Sequence, residues 1–508
     1  MAETNTNNGN LTQQEVNDIC WRACDTFRGV IDGGQYKDYI LVMLFIKYIS
    51  DVWQDHYDDY MRQYNSNVER VERAMKLERF KLPKDASFNA LHKMRNADNV
   101  GELINIAIEK IETLNRPKLD GVFQNIDFNT EQLGNTKDRN RLLKNLLEDF
   151  ANPRLDLRPS RIDEDVIGEA YMYLIERFGS DAGKKAGEFY TPSPVRRLVA
   201  KLAKPEPGNL ICDPTCGSGS LALDTGLEVA GGACRLFGQE KNGGTLALAK
   251  MNMFLHGVDD AVLEWGDTIN DPKLLDEGRL MRFDRVVANP PFSLDKWGAE
   301  DAAADIYGRF GRGVPPKSKG DWAFILHMLA TAKRQSGRVV VVVPHGVLFR
   351  GAAEGRIREA VIKENLLDAV IGLPEKLFST AGIPVALMVF DRRREAGGEL
   401  EHRKDILFVD ASKEFASGRN QNTLTDVHIA KIFNAVEARE AADKFVHMAS
   451  FDEVVENGFN LNIPRYVDTY EEEEEIDLAA VQAEIDRLDE ELTQTRARLR
   501  QRLKELEV

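Results

Sequence analysis

Short β-rich runs alternate with helical stretches between residues 160 and 415, and no other property of the sequence narrows the available folds as much. The runs fall at Leu210–Asp213, Arg235–Glu240, Ala261–Trp265, Arg285–Ala288, Arg338–Val343, Leu367–Ile371 and Val385–Phe390. Helical periods lie between most of them, among them Ser193–Ala203, Thr245–His256, Trp322–Arg334 and Gly355–Glu364. Alternation of this kind predicts a mainly parallel sheet with helices on both faces, an α/β fold. Ligands of such sheets bind beyond the carboxyl ends of the strands, at the point where strand order reverses. That edge is where chemistry is expected.

Two other regions flank the alternating one. After a polar, Asn-rich start expected to be disordered (residues 1–11), residues 12–158 read as an all-α N-terminal domain. Apolar residues recur at helical spacing through Ile19, Cys20, Cys24 and Phe27, through Ile40, Leu41, Leu44, Phe45 and Tyr48, and through Leu103, Ile106, Ile108 and Ile111. Cys20 and Cys24 stand one turn apart with no histidine beside them, so they read as packed core. Trp21, Tyr36, Tyr39 and Trp53 read as core aromatics in the same way. Residues 159–470, which hold the alternating region, are expected to form a second domain. In 471–508 an acidic run, Glu471–Glu475, precedes a heptad of Leu478, Ile485, Leu492, Leu499 and Leu506, with Val481, Leu488, Thr495 and Arg502 in the second seam. A single helix cannot bury such a stripe by itself. This coiled-coil-like helix is expected to dock, either back on its own domain or on a partner helix in an assembly.

Composition closes several classes. At 508 residues and 43% hydrophobic the chain can bury the cores of two or three domains. Its longest apolar stretches, Tyr39–Ile46 and Val339–Val343, are too short to span a bilayer, and no secretion signal opens it. Five cysteines without a CxxC pair argue against a disulfide framework or zinc ribbon and for a reducing, cytoplasmic setting. No metal-ligand spacing occurs among the eight histidines. No GxxxxGK[ST] loop appears (Gly179–Lys185 fails the spacing), so ATP-driven translocation is not expected of this chain. The formal charge of −16 is the wrong sign for holding nucleic acid by whole-body electrostatics. Either nucleic acid is not a ligand, or a local patch or a second subunit supplies the grip.

Two motifs sit at strand ends. Asp213-Pro-Thr-Cys-Gly217-Ser218-Gly219-Ser220 leaves the first strand and opens a helix, its glycines allowing a sharp turn and close approach to a ligand. Glu240 ends the next strand, where a carboxylate is placed to accept hydrogen bonds from ribose hydroxyls. By itself this pair also satisfies a loose dinucleotide-binding pattern, so a nicotinamide enzyme competes. Asn289-Pro290-Pro291-Phe292, just past Arg285–Ala288, decides against it. An exocyclic amine is a poor nucleophile because its lone pair is delocalised into the ring. Two acceptors that draw its N–H bonds out of plane free that lone pair, and the Asn289 side-chain oxygen and Pro290 carbonyl can serve. The prolines stiffen the loop and Phe292 offers a face for an extruded base. A sulfonium methyl donor is already reactive, so alignment supplies much of the rate and no metal is needed.

These residues, with Gly187-Glu188-Phe189-Tyr190-Thr191-Pro192 upstream and Asp267 in Gly-Asp-Thr, resemble the N6-adenine amino-methyltransferase motifs in their "gamma" order. Over most of its length the chain resembles the modification subunit of type I restriction-modification systems, from its helical start to the segment Tyr307–Leu329 with Asp321-Trp-Ala-Phe324. The resemblance implies a Rossmann-like methyltransferase domain using S-adenosylmethionine. It places Glu188, Phe189, Tyr190, Thr191 and Pro192 and the Gly217–Ser220 loop around the methionine end. Asp213 would then hold the amino group, Glu240 the ribose and Asp267 the adenine amine of the donor. It further implies double-stranded DNA as substrate, a specificity subunit that reads sequence, two copies of this chain per specificity subunit, and a separate motor-nuclease subunit. Asn-Pro-Pro-aromatic also resembles enzymes that methylate glutamine side chains of proteins, which usually carry Tyr where this chain has Phe292. A cofactor-binding scaffold silent without partners is a third alternative. Finally, the Gly-, Pro- and charge-rich stretch 293–320, with Lys296, Arg309, Arg312, Lys317 and Lys319, is expected to be a mobile or binding loop that orders on DNA, with a solvated surface loop as the alternative.

Overall fold

The computed structural model describes residues 11–31, 33–124, 126–162, 165–181, 190–378, 384–418, 421–468 and 478–505. The start expected to be disordered (1–10), the acidic run 471–475, Leu506, Glu188 and Phe189 lie outside the described residues.

The described residues form eleven strands: β1 Leu210–Asp213, β2 Arg235–Glu240, β3 Val262–Trp265, β4 Leu275–Asp276, β5 Arg279–Leu280, β6 Arg285–Ala288, β7 Arg338–Pro344, β8 Leu367–Gly372, β9 Val385–Asp391, β10 Ile406–Asp410 and β11 Val446–Ala449. Nine form one sheet in the order β11-β10-β8-β9-β7-β6-β1-β2-β3, and β4–β5 is a separate hairpin. Its central strand β7 is buried along its whole length, as a valine run covered on both faces must be. β6, β1, β2 and β3 pair in parallel with their neighbours. β9 runs antiparallel to both β7 and β8, and β11 antiparallel to β10. The strand alternation predicted parallel pairing, and β9 departs from it for a physical reason. No helix is described between β8 and β9, and without a crossover helix the chain returns antiparallel. β10 and β11 were not anticipated by the pattern.

The N-terminal helices, chiefly Gln13–Ala23, Gly33–Gln63, Val100–Leu114 and Thr136–Phe150, build one apolar cluster. The first is opened by a reciprocal Thr12–Glu15 capping box. Cys20, Cys24, Tyr36 and Tyr39 are buried in the cluster, with both tyrosine rings stacked on Phe27, whereas Trp21 and Trp53 are half-buried at its rim. Within Val100–Leu114 it is Ile104, not Ile106, that enters the core. The cluster extends to Leu248, Met251, Phe254 and Leu255 of the helix Gly243–Leu255 that follows β2. The helical region thus shares its core with an element of the sheet's own layer.

Segment 293–320 also differs from expectation. Trp297 and Phe310 are buried against each other, with the Trp297 indole N–H donating to Pro316 O at 2.8 Å. Arg309 is buried and spent on Asp305 (2.7 Å) and on the carbonyls of Thr268 and Ile269, and Arg312 pairs with Glu364. Two of the five cations named in this stretch are therefore structural. Two aromatic residues give this stretch a core that its glycine and proline content concealed.

Contacts divide the chain into units 1–467 and 468–508. In the second, residues 478–505 form a helix, Leu478–Glu505, along which Ile485, Leu488, Leu492 and Leu499 are about half exposed. No helix among the described residues is long and apolar enough to cross a membrane.

Candidate active site

The carboxyl ends of β1, β2, β3 and β6 open on one cleft of about 400 Å³, lined by Asp213, Gly217, Ser218, Ser220, Glu240, Asp267, Thr191, Asn289 and Pro291 among others. Its floor is the turn after β1. Gly217 and Gly219 both adopt positive φ (53° and 78°), where a side chain is strained. Gly238 in β2 makes room for the turn, because a Cβ there would lie 2.9 Å from that of Cys216. Behind the turn, the fully buried Asn252 of helix Gly243–Leu255 donates to Ser218 O at 3.0 Å.

Three carboxylates face this space in different electrostatic states. Burial, reinforced by Glu240, pushes Asp213 up to about 7 against the hydrogen bond it accepts from Thr215 N at 2.9 Å. Burial likewise raises Glu240, opposed by backbone N–H groups of Asn242 (2.7 Å) and Gly217 (3.0 Å). Burial would raise Asp267 too, but Lys241 (2.8 Å) and the backbone and side-chain amides of Asn270 (3.0 and 3.1 Å) outweigh it and hold that carboxyl low. Asp213 Oδ2 and both Glu240 oxygens keep lone pairs for a further donor. Asp267 already accepts two hydrogen bonds on each oxygen and takes a ligand's donor by exchanging the exposed Lys241.

On the opposite wall, Asn289 follows β6. Its Nδ2 donates to Thr191 Oγ1 at 2.9 Å, while its Oδ1 is buried with no partner among the described residues. A buried orphan acceptor costs about 1–3 kcal/mol and calls for an occupant. Pro290 is buried behind it. Phe292 is not among the lining residues; its half-buried ring meets Phe378 edge-on at 6.1 Å, in the apolar cluster on that face of the sheet. Tyr190 and Pro192 are also absent from the lining. The Tyr190 hydroxyl accepts from Ser193 N and Arg196, and Pro192 precedes the helix Ser193–Ala203 as its cap. Only Thr191 of the described upstream motif reaches the cleft.

Several contributors were not foreseen. Asp321, 3% exposed, accepts from Ser293 N (2.7 Å) and from Arg350 (2.8 Å), so it fastens the residue after Phe292 in a left-handed φ of 52°. Arg350 also reaches Ser293 Oγ and Glu354. Trp297 and Phe324 add aromatic walls. The sequence marks Asp321-Trp-Ala-Phe324 only through the family resemblance, without a role, and Asp321 starts a very apolar helix, Asp321–Thr331.

Comparison with known proteins is consistent along the chain. A sequence profile described as N-6 DNA Methylase matches residues 162–475, and one described as HsdM N-terminal domain matches 16–150. The type I restriction enzyme MjaVII methylase subunit of Methanocaldococcus jannaschii is 33% identical, over 90% of this chain and 78% of its own. The MpnII methylase subunit of Mycoplasma pneumoniae is 28% identical over 96% and 95%. Among solved structures, the type I restriction-modification system methyltransferase subunit from Streptococcus thermophilus superposes with a TM-score of 0.80 at 37% identity, covering 90% of this chain and all of that one.

Proposed function

Because this chain belongs to the N-6 DNA methylase family, as the methyltransferase subunit of a type I restriction-modification system, we propose that it uses S-adenosylmethionine to methylate N6 of an adenine extruded from double-stranded DNA. The single observation that carries this reading is a juxtaposition. Asn289, with its amide oxygen unpartnered among the described residues, lines the same cleft as the Asp213–Ser220 turn and Glu240.

The donor set suits that cofactor. Asp213 is a buried acceptor for an ammonium, Glu240 a strand-end acceptor for ribose hydroxyls, and Asp267 an acceptor for an exocyclic amine. Gly217, Gly219 and Ser218 leave the turn's backbone open to the methionine end. Bound there, S-adenosylmethionine supplies an electrophilic methyl group on sulfur. Asn289 Oδ1 and the Pro290 carbonyl accept the two N6–H bonds and draw the amine toward tetrahedral geometry, restoring its lone pair. Because Pro290 and Pro291 fix the loop, little reorganisation accompanies transfer. Phe292 stacks on the extruded base from the rim, after its ring turns from Phe378. Glu188, Phe189, Tyr190 and Pro192 shape the methionine end, Tyr190 and Pro192 through the backbone they fix.

Sequence choice and most of the DNA affinity come from a specificity subunit, with two copies of this chain on each, and a motor-nuclease subunit completes the cytoplasmic assembly. A chain of charge −16 contributes the base pocket rather than the grip. Asn289→Ala should retain donor binding and lower methyl transfer to DNA by about 10²–10³-fold, the scale of losing one charge-stabilising partner. Transfer of labelled methyl groups to DNA at the parental rate would reject the assignment.

A further inference from the structure

Asn289 presents two chemically opposite ends, and only one of them can do the work proposed for it. An amide turned over would offer N–H groups to an N–H donor. What decides its orientation is Thr191 Oγ1, which accepts from Asn289 Nδ2 at 2.9 Å and leaves Oδ1 as the free end. A hydroxyl can donate or accept, so its role here depends on where its own proton points. Among the described residues Asn289 is the sole hydrogen-bond partner of Thr191 Oγ1, and Thr191 lines the cleft, 9% exposed. The proton is thus available to a ligand in the cleft, and a hydroxyl donating to that ligand is left with lone pairs for Asn289.

The backbone of Thr191 is held with equal care. Arg196, 3% exposed, donates to Thr191 O at 3.1 Å and pairs with Asp224 at 2.8 Å. Asp224 sits on the helix Ser220–Leu227, which the donor turn opens. Polar contacts and the covalent chain therefore connect the helix opened by the donor turn, through Asp224, Arg196 and Thr191, to the amide of Asn289.

We infer that Thr191 is a positioning residue for methyl transfer, whose hydroxyl holds the Asn289 amide with its oxygen toward the target amine and does so best when the donor occupies the cleft. This rests on the reading of Asn289 given above. It predicts that an isosteric loss of the hydroxyl slows transfer far more than it weakens donor binding.

The test uses the full chain assembled with its specificity subunit on target DNA, comparing Thr191→Val, Thr191→Ser, Asn289→Ala and Thr191→Val/Asn289→Ala. Donor affinity is measured by calorimetry and transfer by single-turnover labelling at saturating donor. Thr191→Val should bind donor within about threefold of the parent and transfer about 10–100-fold more slowly, the range expected for one buried hydrogen bond. Thr191→Ser should recover most of that rate. In the Asn289→Ala background the valine should cost nothing more, because Thr191 acts through the amide. The inference is overturned if Thr191→Val transfers at the parental rate, if it weakens donor binding while leaving the saturated rate intact, or if the two losses multiply. Melting curves accompany each variant, and a Thr191→Val protein that melts early still overturns it if Thr191→Ser, folded, is equally slow. A fast Asn289→Ala enzyme would instead remove the reading beneath it.

Discussion

Asp213 shows how one residue's environment becomes a pH dependence. Its carboxyl, ordinarily near 3.8, titrates at about 7 in the fold, chiefly because it is buried. Between those values the folded chain binds the proton and the unfolded chain does not. Its contribution to stability is therefore complete below 3.8 and is lost as pH rises toward 7. An ammonium placed against Asp213 reverses the preference, since opposite charge favours the carboxylate. Donor binding should then release close to one proton at pH 6 and weaken as pH falls below 7. Calorimetry in two buffers of different ionisation enthalpy checks this: the apparent heats should differ for the parent and coincide for Asp213→Asn. Coincident heats for the parent would remove Asp213 from donor binding.

At the scale of elements, the loop that carries Asn289 is tied at both ends. Thr191 holds its start, and Asp321 with Arg350 holds Ser293 at its end. The second tie keeps a non-glycine residue at positive φ, a strained state that persists only where surroundings enforce it. The tail helix Leu478–Glu505 presents the reverse case, an amphipathic element with its apolar row exposed. Its first half is acidic and its second basic, which favours a partner helix of complementary polarity. Deleting residues 471–508 should leave donor binding intact and abolish stable association with the specificity subunit, as read by light scattering on eluted complexes. An undiminished complex would show that assembly relies on other surfaces.

Over the whole molecule, the sheet separates chemistry from stability. The cleft occupies the carboxyl ends of β1, β2, β3 and β6. At the opposite end, near the starts of β7 and β8, Asp368 is buried among Arg338 (3.4 Å), Arg394 (2.7 Å) and Arg439 (2.9 Å), with Asp391 also on Arg338. Burial alone would raise the Asp368 carboxyl, but three guanidinium groups overwhelm it and hold it far below the ordinary range. That stabilisation is present at neutral pH and is lost as pH falls below 3.8 toward the depressed value. Asp368→Ala leaves the fully buried Arg394 without a carboxylate among the described residues and removes one partner each from Arg338 and Arg439, which keep Asp391 and Asp405. It should cost about 3–5 kcal/mol in urea unfolding. A loss under 1 kcal/mol, where paired surface charges fall, would contradict the burial argument.

The sequence by itself determined the layered α/β architecture, the bounds of most strands, and the placement of Asp213, Glu240 and Asn289 at strand ends. These are local properties: apolar periodicity and glycine–proline punctuation report which face is buried and where a chain turns. Only the tertiary structure decided the rest. It reversed β9, buried Arg309, turned Phe292 toward Phe378, and joined Thr191 to Asn289 across 98 residues and Ser293 to Asp321 across 28. A side chain's partner depends on which elements pack together, and no spacing rule within one segment carries that information across the sheet.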